Sequence, residues 1–467
     1  MTKLKILGIL LALTITSACS MIPEYFRPAS PVPATIAPVD GNAVGSEVTL
    51  DSMPWREYFA DAQLRELIAL ALENNRDLRV AALNIEKARA QYRIQRADLF
   101  PSVGLSASGT AQRVPGDISI GGSAITTHQY GANIGFTAYE LDFFGRIRSL
   151  NAQALELYLG TEEAKRSAHI SLVSEVANAW LMLAAERERL ALGRSTYDTR
   201  IKSLELIRRS LEVGAGSALD VRQAETLMQT ARADVASFSA LVVQDENALT
   251  LIVGAPVPAN LLPATMTSAV SAVGEIPAGV SSEVLMRRPD ILQAERALRA
   301  TNASIGAARA AFFPTISLTT SVGTASNSLG GLFDSGSGAW SFIPLIRLPI
   351  FDAGRLSASL ESTKVQREIN VAQYEKSIQS AFREVADAFA ERLTLNEQLD
   401  ARQKLVEAAS GSFSLSEARY KEGIDNYLGL LDSQRSLYLA EQELINIRLV
   451  DSTNRVALYK VLGGGWK

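Results

Sequence analysis

This chain contains one pattern twice. Residues 75–109 align with 288–322 at an offset of 213, which sets Asp77 on Asp290, Phe100 on Phe313 and Pro101 on Pro314. Further on, Gly145-Arg146 falls on Gly354-Arg355, Gly214 on Gly423 and Gly254 on Gly463, all at an offset of 209. Self-similarity at a near-constant offset means that one structural unit is built twice, so the fold must be a pair of related halves. The offsets differ by four, which assigns four extra residues of the first copy to the loop between its strands, where length varies most freely. The first repeat is read as 51–253 and the second as 283–467. Between them, 254–282 is a linker carrying Pro256, Pro258, Pro263 and Pro277.

Each copy reads as long helix, strand, loop, strand, long helices. Residues 62–98 lack proline and glycine and are rich in Ala, Leu, Arg and Glu, which predicts a single helix stopped by Pro101. Strands are predicted near 102–113 and 129–142 in the first repeat and near 314–324 and 339–351 in the second. Tyr130, Ala132, Ile134, Phe136 and Ala138 alternate with Gly131, Asn133, Gly135 and Thr137, the period of a strand with one greasy and one polar face. Ile316, Leu318, Thr320 and Val322 alternate with Thr315, Ser317, Thr319 and Ser321 in the same way. In the last strand, Trp340, Phe342, Ile346, Leu348 and Ile350 are expected on one face.

Four strands cannot close a barrel, yet a sheet that crosses a bilayer must close because lipid satisfies no edge hydrogen bonds. Several identical chains must therefore share one barrel. Three would supply twelve strands, within the range of outer-membrane barrels. A soluble sandwich is the other reading, but so few strands so far apart leave little to pair with in one chain. Along the helices, Ile170, Val173, Ala177, Trp180 and Ala184 form one seam, and Leu172, Val176, Ala179 and Leu183 a second beside it. Leu437, Ala440, Leu444 and Ile447 repeat the pattern. Two adjacent seams predict a helix with neighbours on both sides, as in a curved wall. Forty residues of helix extend about 60 Å, more than a compact domain needs, and fit a long hollow tube.

Residues 1–18 carry Lys3, Lys5, an apolar run from Ile6 to Ile15 and then small residues, the composition of a signal peptide. Thr16-Ser17-Ala18-Cys19 looks like a bacterial lipobox, whose cysteine accepts a diacylglyceryl group and further acylation such as palmitate. An ordinary secretory signal with an incidental cysteine is the alternative. Residues 19–50 are read as a lipidated, extended tether, with five prolines between Pro23 and Pro38. After it, no apolar stretch reaches the length of a membrane-spanning helix, so strands must make any crossing.

Composition closes off other classes. The formal charge is −4, and loss of a signal bearing Lys3 and Lys5 makes it −6, so no general basic surface exists for nucleic acid. One cysteine and two histidines supply neither a disulfide nor a structural zinc site. No phosphate-binding, dinucleotide, HExxH or GxSxG string occurs, so neither catalytic nor cofactor-binding residues are assigned, and no enzyme is expected. His128, read as part of the first strand-linking loop, and His169, on a helix, are read as surface or packing residues.

Several segments resemble the outer-membrane factor family of tripartite efflux systems of the resistance-nodulation-division type. They include CSMIPEYFRP (19–28), YELDFFGRIRSL (139–150), IPAGVSSEVLMRRPDI (276–291), IGAARAAFFPTISL (305–318), ARYKEGIDNYLGLLDSQRSLY (418–438) and LYKVLGGGW (458–466). The resemblance runs nearly end to end. It implies an α+β membrane protein: a homotrimer with a β-barrel in the outer membrane, four strands per chain and twelve in total, continued by a long periplasmic α-helical barrel. It implies as partners a periplasmic membrane-fusion adaptor, an inner-membrane pump and outer-membrane lipid. The implied function is a passive exit duct for drugs or other toxic solutes, closed at its periplasmic end by an iris-like gate near the turns at Gly214 and Gly423. Matched residue by residue, the resemblance implies that Leu428 and Asp432 line the aperture and that Arg419 and Tyr420 hold it. Asp220 falls where the family has an aspartate that pairs with a neighbouring helix. Asp425 stands where some members have an arginine, so that link is not expected here. A copper or silver exporter of the same family and a structural trimeric coiled-coil lipoprotein are the competing readings; the latter needs no axial lumen.

Overall fold

The computed structural model describes residues 20–36, 53–266 and 281–465. The signal peptide, Cys19, the tether beyond residue 36 and residues 267–280 of the linker lie outside the described residues. The elements are α1 (Ala62–Asn74), α2 (Arg76–Ala97), β1 (Val103–Val114), β2 (Ile125–Leu141), α3 (Arg146–Glu212), α4 (Ala218–Val253), α5 (Pro289–Ala310), β3 (Thr315–Ser326), β4 (Gly338–Arg347), α6 (Arg355–Lys421) and α7 (Tyr427–Val461). The duplication is carried into the elements: α2 and α5 have 22 residues each, and α3 and α6 have 67 each. Gly145 and Gly354, Gly214 and Gly423, and Gly254 and Gly463, the pairs aligned by sequence, all have positive φ.

The chain divides into two compact units that cut across the repeats. The first holds residues 20–29, 84–162 and 293–374, and so contains all four strands. They form one antiparallel sheet in the order β1-β2-β3-β4. Directly paired residues in an antiparallel sheet point to the same face, so the pairing registers sort the side chains. Leu105, Ile134 and Val322 fall in one row with Trp340, and Phe136 and Thr320 with Phe342. The opposite face carries Ser106, Asn133, Ser321 and Ser341 among others. The greasy and polar faces expected from the alternation are therefore both present, although β4 also turns Ile343 and Leu345 to the otherwise polar face. Trp340 is 80% exposed, as a side chain aimed at lipid should be.

Several expectations need correction. The alternation in β2 breaks after Phe136, where the register shifts so that Tyr139, not Ala138, returns to the greasy face. The two rings meet edge to face at 5.9 Å, and Ala138 takes φ 52 while its N–H donates to Thr319 Oγ1 at 3.0 Å. One extra residue in a strand makes such a bulge and bends it. His128 lies within β2, opposite Ala111, because β1 and β2 pair as far as Val114 and Ile125. β4 ends at Arg347, so Leu348 and Ile350 lie beyond it; Pro349, which has no N–H, stops the ladder. The connecting segments 115–124 and 327–337 are nearly equal in length, so the four surplus residues are not in the loop. β2 is instead the longer strand, with 17 residues against 10 in β4.

The second unit holds residues 30–36, 53–83, 163–266, 281–292 and 375–465 of the described chain, and it is helical. The helix predicted over 62–98 is two helices. Asn75 is extended, and its side chain accepts from Leu78 N–H at 2.8 Å to start α2 while donating to Ile252 O at 2.7 Å. Both seams of α3 are buried apart from the half-buried Ala179: Val173, Val176, Ala177, Leu183 and Ala184 show no exposed surface. An 18-residue window of α3 does pass the length and composition test for a membrane span, against the sequence reading, but 61% of it is buried within the protein and it serves as core. Trp180, 1% exposed, donates its indole N–H to Leu261 O at 3.0 Å, tying the described start of the linker to α3. Trp180→Ala empties this site and orphans a carbonyl, and it is expected to cost about 3–5 kcal/mol. The check is the thermal midpoint of helical circular dichroism against the parent. Arg288, also buried, bridges Asp290 and Glu384 and donates to Val461 O at 2.9 Å, which joins the start of α5 to the end of α7.

Candidate functional site

The helix turns at the ends of α3 and α6 are built alike. At the first, Gly214 N–H donates to Leu211 O and Ala215 N–H to Ser210 O; at the second, Gly423 N–H donates to Tyr420 O and Ile424 N–H to Arg419 O. This is the Schellman ending, which needs a left-handed residue, and Gly214 and Gly423 supply φ 79 and 71. The next helix starts on a side-chain cap in each case, Ser217 for α4 and Asn426 for α7.

Arg419 and Asp425 meet across the second turn in a bidentate pair, with bonds of 2.6 and 2.9 Å. The hydrogen bond from Arg419 holds the Asp425 carboxyl below its usual range. Asp425, discounted in the sequence reading, is thus the partner of Arg419 within its own turn. Tyr420 packs edge to face on Tyr427 at 5.8 Å. Burial, with the neighbouring Tyr420 adding to it, pushes the Tyr427 phenol up to about 12. Both rings belong to an apolar cluster that includes Leu204, Ile207, Leu227 and Leu430, so it joins the tip of the first repeat to that of the second.

Leu428 and Asp432 lie one turn apart on α7, and both are exposed, Leu428 by 57%. Asp220 has a local role within its own chain. It closes a capping box: its carboxylate accepts from Ser217 N–H at 3.0 Å, and Ser217 Oγ accepts from Asp220 N–H at 3.2 Å. The spacing Ser217-x-x-Asp220 was the local signal for this.

A second set of contacts joins the hairpins further along. Arg200, 4% exposed, donates to Leu227 O at 2.8 Å and lies over the Tyr438 ring at 5.0 Å. Tyr438 in turn donates to Asp234 at 3.0 Å. Burial and this bond push the Tyr438 phenol up to about 12. These residues had no sequence signal, because each depends on a partner 27 to 204 positions away. Among the described residues, no group of three or more His, Cys, Asp or Glu side chains could hold a metal ion. Burial, and secondarily Lys165, pushes the His169 imidazole down, which favours its neutral form.

The sequence pattern of outer membrane efflux proteins matches residues 67–255 and 280–464. The chain belongs to the outer membrane efflux protein family. It is 49% identical to the toluene efflux pump outer membrane protein TtgC of Pseudomonas putida, over 100% of this chain and 96% of that one. It is 44% identical to the outer membrane protein OprJ of Pseudomonas aeruginosa, over 98% of this chain and 95% of that protein. Among solved structures, the open state of the Neisseria gonorrhoeae MtrE outer membrane channel matches with TM-score 0.87 and 40% identity, covering 96% of this chain and 99% of that one. The chain therefore has the fold of these channels, a strand-built outer-membrane part with long periplasmic helices, and its function is efflux across the outer membrane.

Proposed function

We propose that three copies of this chain form one twelve-stranded barrel and serve as the exit duct of a tripartite pump of the resistance-nodulation-division type. The observation that carries this is the four-stranded sheet, one face mainly greasy and one mainly polar, whose outer strands β1 and β4 each pair on one side only among the described residues. A lipid-exposed sheet edge is not tolerated in hydrocarbon, and pairing β4 with β1 of the next copy removes every edge. The polar faces then line water. The inner-membrane pump supplies the drive and a periplasmic adaptor joins it to this channel. Cys19 carries the lipid anchor.

The gate lies at the turns. Three copies of Asp432 around one axis repel one another and gather cations, and three copies of Leu428 form a dry constriction. Arg419 and Tyr420 hold the turn in shape, and Asp220 sets the start of the facing helix. An adaptor that binds the open form more tightly shifts this equilibrium.

The relatives named for toluene efflux and for antibiotic efflux support drugs and solvents as cargo. The test is an efflux-deficient strain that keeps its adaptor and pump, complemented with this chain and scored against several drugs, toluene, copper and silver. Restored resistance to drugs and toluene is expected. Protection against copper and silver alone overturns the drug reading. No protection from a protein that assembles in the outer membrane overturns the exit duct.

A further inference from the structure

The segment Met21–Arg27 belongs to the stretch read as an extended tether, and it is seated along α5 within the first unit. Arg27 donates to both carboxylate oxygens of Glu295, at 3.3 and 2.6 Å, and Tyr25 donates to the same carboxylate at 3.2 Å. Arg299 reaches Glu295 at 2.7 Å and lies over the Tyr25 ring at 4.8 Å. Asn302 donates to Pro23 O at 2.8 Å, and Arg309 to Met21 O at 3.5 Å. Between them, a Cβ on Gly306 would stand 2.6 Å from Ile22 Cγ1 and 2.8 Å from Ile22 N, so only glycine lets the strap pass.

These five α5 positions, 295, 299, 302, 306 and 309, step by four and three and so form one stripe on the helix. The strap residues they meet run in the opposite order, from Arg27 back to Met21. Glu295 is only 3% exposed and is shared by two guanidinium groups and a phenol. Removing one member of such a buried set leaves the others uncompensated.

We propose that this stripe is a built-in socket for the mature N-terminal segment, with Glu295 as its positioning residue, and that the socket sets where the lipid-bearing end emerges. Met21 is held by Arg309, one residue before the end of α5, and β3 starts at Thr315. The strap therefore delivers the chain just beyond Cys19 to the helix-to-strand junction of its own unit, the level at which a strand-built barrel meets the membrane surface. The consequence for the diacylglyceryl group rests on the lipidation reading; the socket itself does not.

Acid acts on the same contact. Burial alone raises the Glu295 carboxyl, but the hydrogen bonds from Arg27 and Arg299 outweigh it and hold the carboxyl below its usual range. Tyr25 and Arg27 on the strap, Arg299 on α5 and Tyr374 on α6 are the titratable groups around it. A carboxyl held low contributes its stabilisation above its unfolded value of about 4.3, and that contribution is lost as pH falls through the folded value.

The experiment places a nitroxide on Glu24→Cys, an exposed strap position, in the full-length protein in lipid discs, and reads label mobility. The parent is expected to show an immobile label at neutral pH. Glu295→Gln and Gly306→Leu, which act by charge and by bulk, are each expected to raise the mobile fraction roughly tenfold. Because either α5 variant could fail to assemble, the strap-side pair Tyr25→Phe with Arg27→Gln tests the same contact and leaves α5 intact. A mobile label in the parent, or an immobile one in assembled variants of both sides, overturns the socket. The mass of the N-terminal peptide is read in parallel: absence of the diacylglyceryl group removes the lipidation reading and leaves the socket standing.

Discussion

Gly135→Val and Gly323→Val are each expected to abolish the assembled channel in the outer membrane. The two glycines sit on the polar face, each directly against the backbone of the paired strand. A Cβ at Gly135 would lie 2.0 Å from Thr320 O and 2.7 Å from Ser321 Cα. At Gly323 it would lie 2.0 Å from Ala132 O and 2.7 Å from Asn133 Cα. These neighbours are backbone atoms of the paired strand, so relief requires the ladder itself to part. A strand pair that parts inside a bilayer leaves N–H and C=O groups that nothing satisfies, at several kcal/mol each. Gly121→Ala, in the β1–β2 connection with nothing within 4 Å of its Cβ position, is the matched control and should assemble normally. Heat-resistant oligomer on a gel of isolated outer membranes reads the outcome. Normal oligomer from either valine variant means that β2 and β3 are not paired in this register.

A channel carrying Arg419→Ser together with Tyr420→Phe is expected to conduct ions several-fold better than the parent in planar bilayers. Loss of Arg419 frees Asp425 and unties the α6–α7 turn, and the phenylalanine removes the Tyr420 hydroxyl while keeping the ring on Tyr427. Because the Arg419–Asp425 pair is intramolecular, Asp425→Asn alone should reproduce part of the rise. Both partners are substantially exposed, so added salt should also lift the parent's conductance beyond the rise expected from bulk conductivity. Unchanged conductance in the double variant removes these two residues from the gate and leaves Leu428 and Asp432 to be tested by themselves.

Much of the architecture was legible because its signals are periodic. The repeat appeared in paired glycines, and the same glycines take left-handed conformations in the fold. Strand faces appeared as alternation, and the pairing registers keep them. What failed was local. Residue 75 looked like any other position in a helix-forming run, and only its bond to Ile252 O, 177 residues away, explains the break there. The β2 bulge was hidden because Ala138 fits the alternation as well as Tyr139 does. At the candidate gate, sequence matching named Arg419 and Tyr420 but missed the partner of Arg419. It also passed over the Ser217-x-x-Asp220 spacing, which marks the helix cap that the structure shows.

The sequence by itself determined that this chain is a duplicated helix-and-strand unit with a two-faced sheet, because hydrophobic periodicity and glycine position are properties of the chain alone. Only the tertiary structure decided that Glu295 seats the N-terminal strap, that Arg419 pairs with Asp425, and that two helical tips share one apolar cluster. Those outcomes depend on which distant groups come within reach of one another. Proline-rich composition marks the strap as extended but carries no information about the helix face on which it lies.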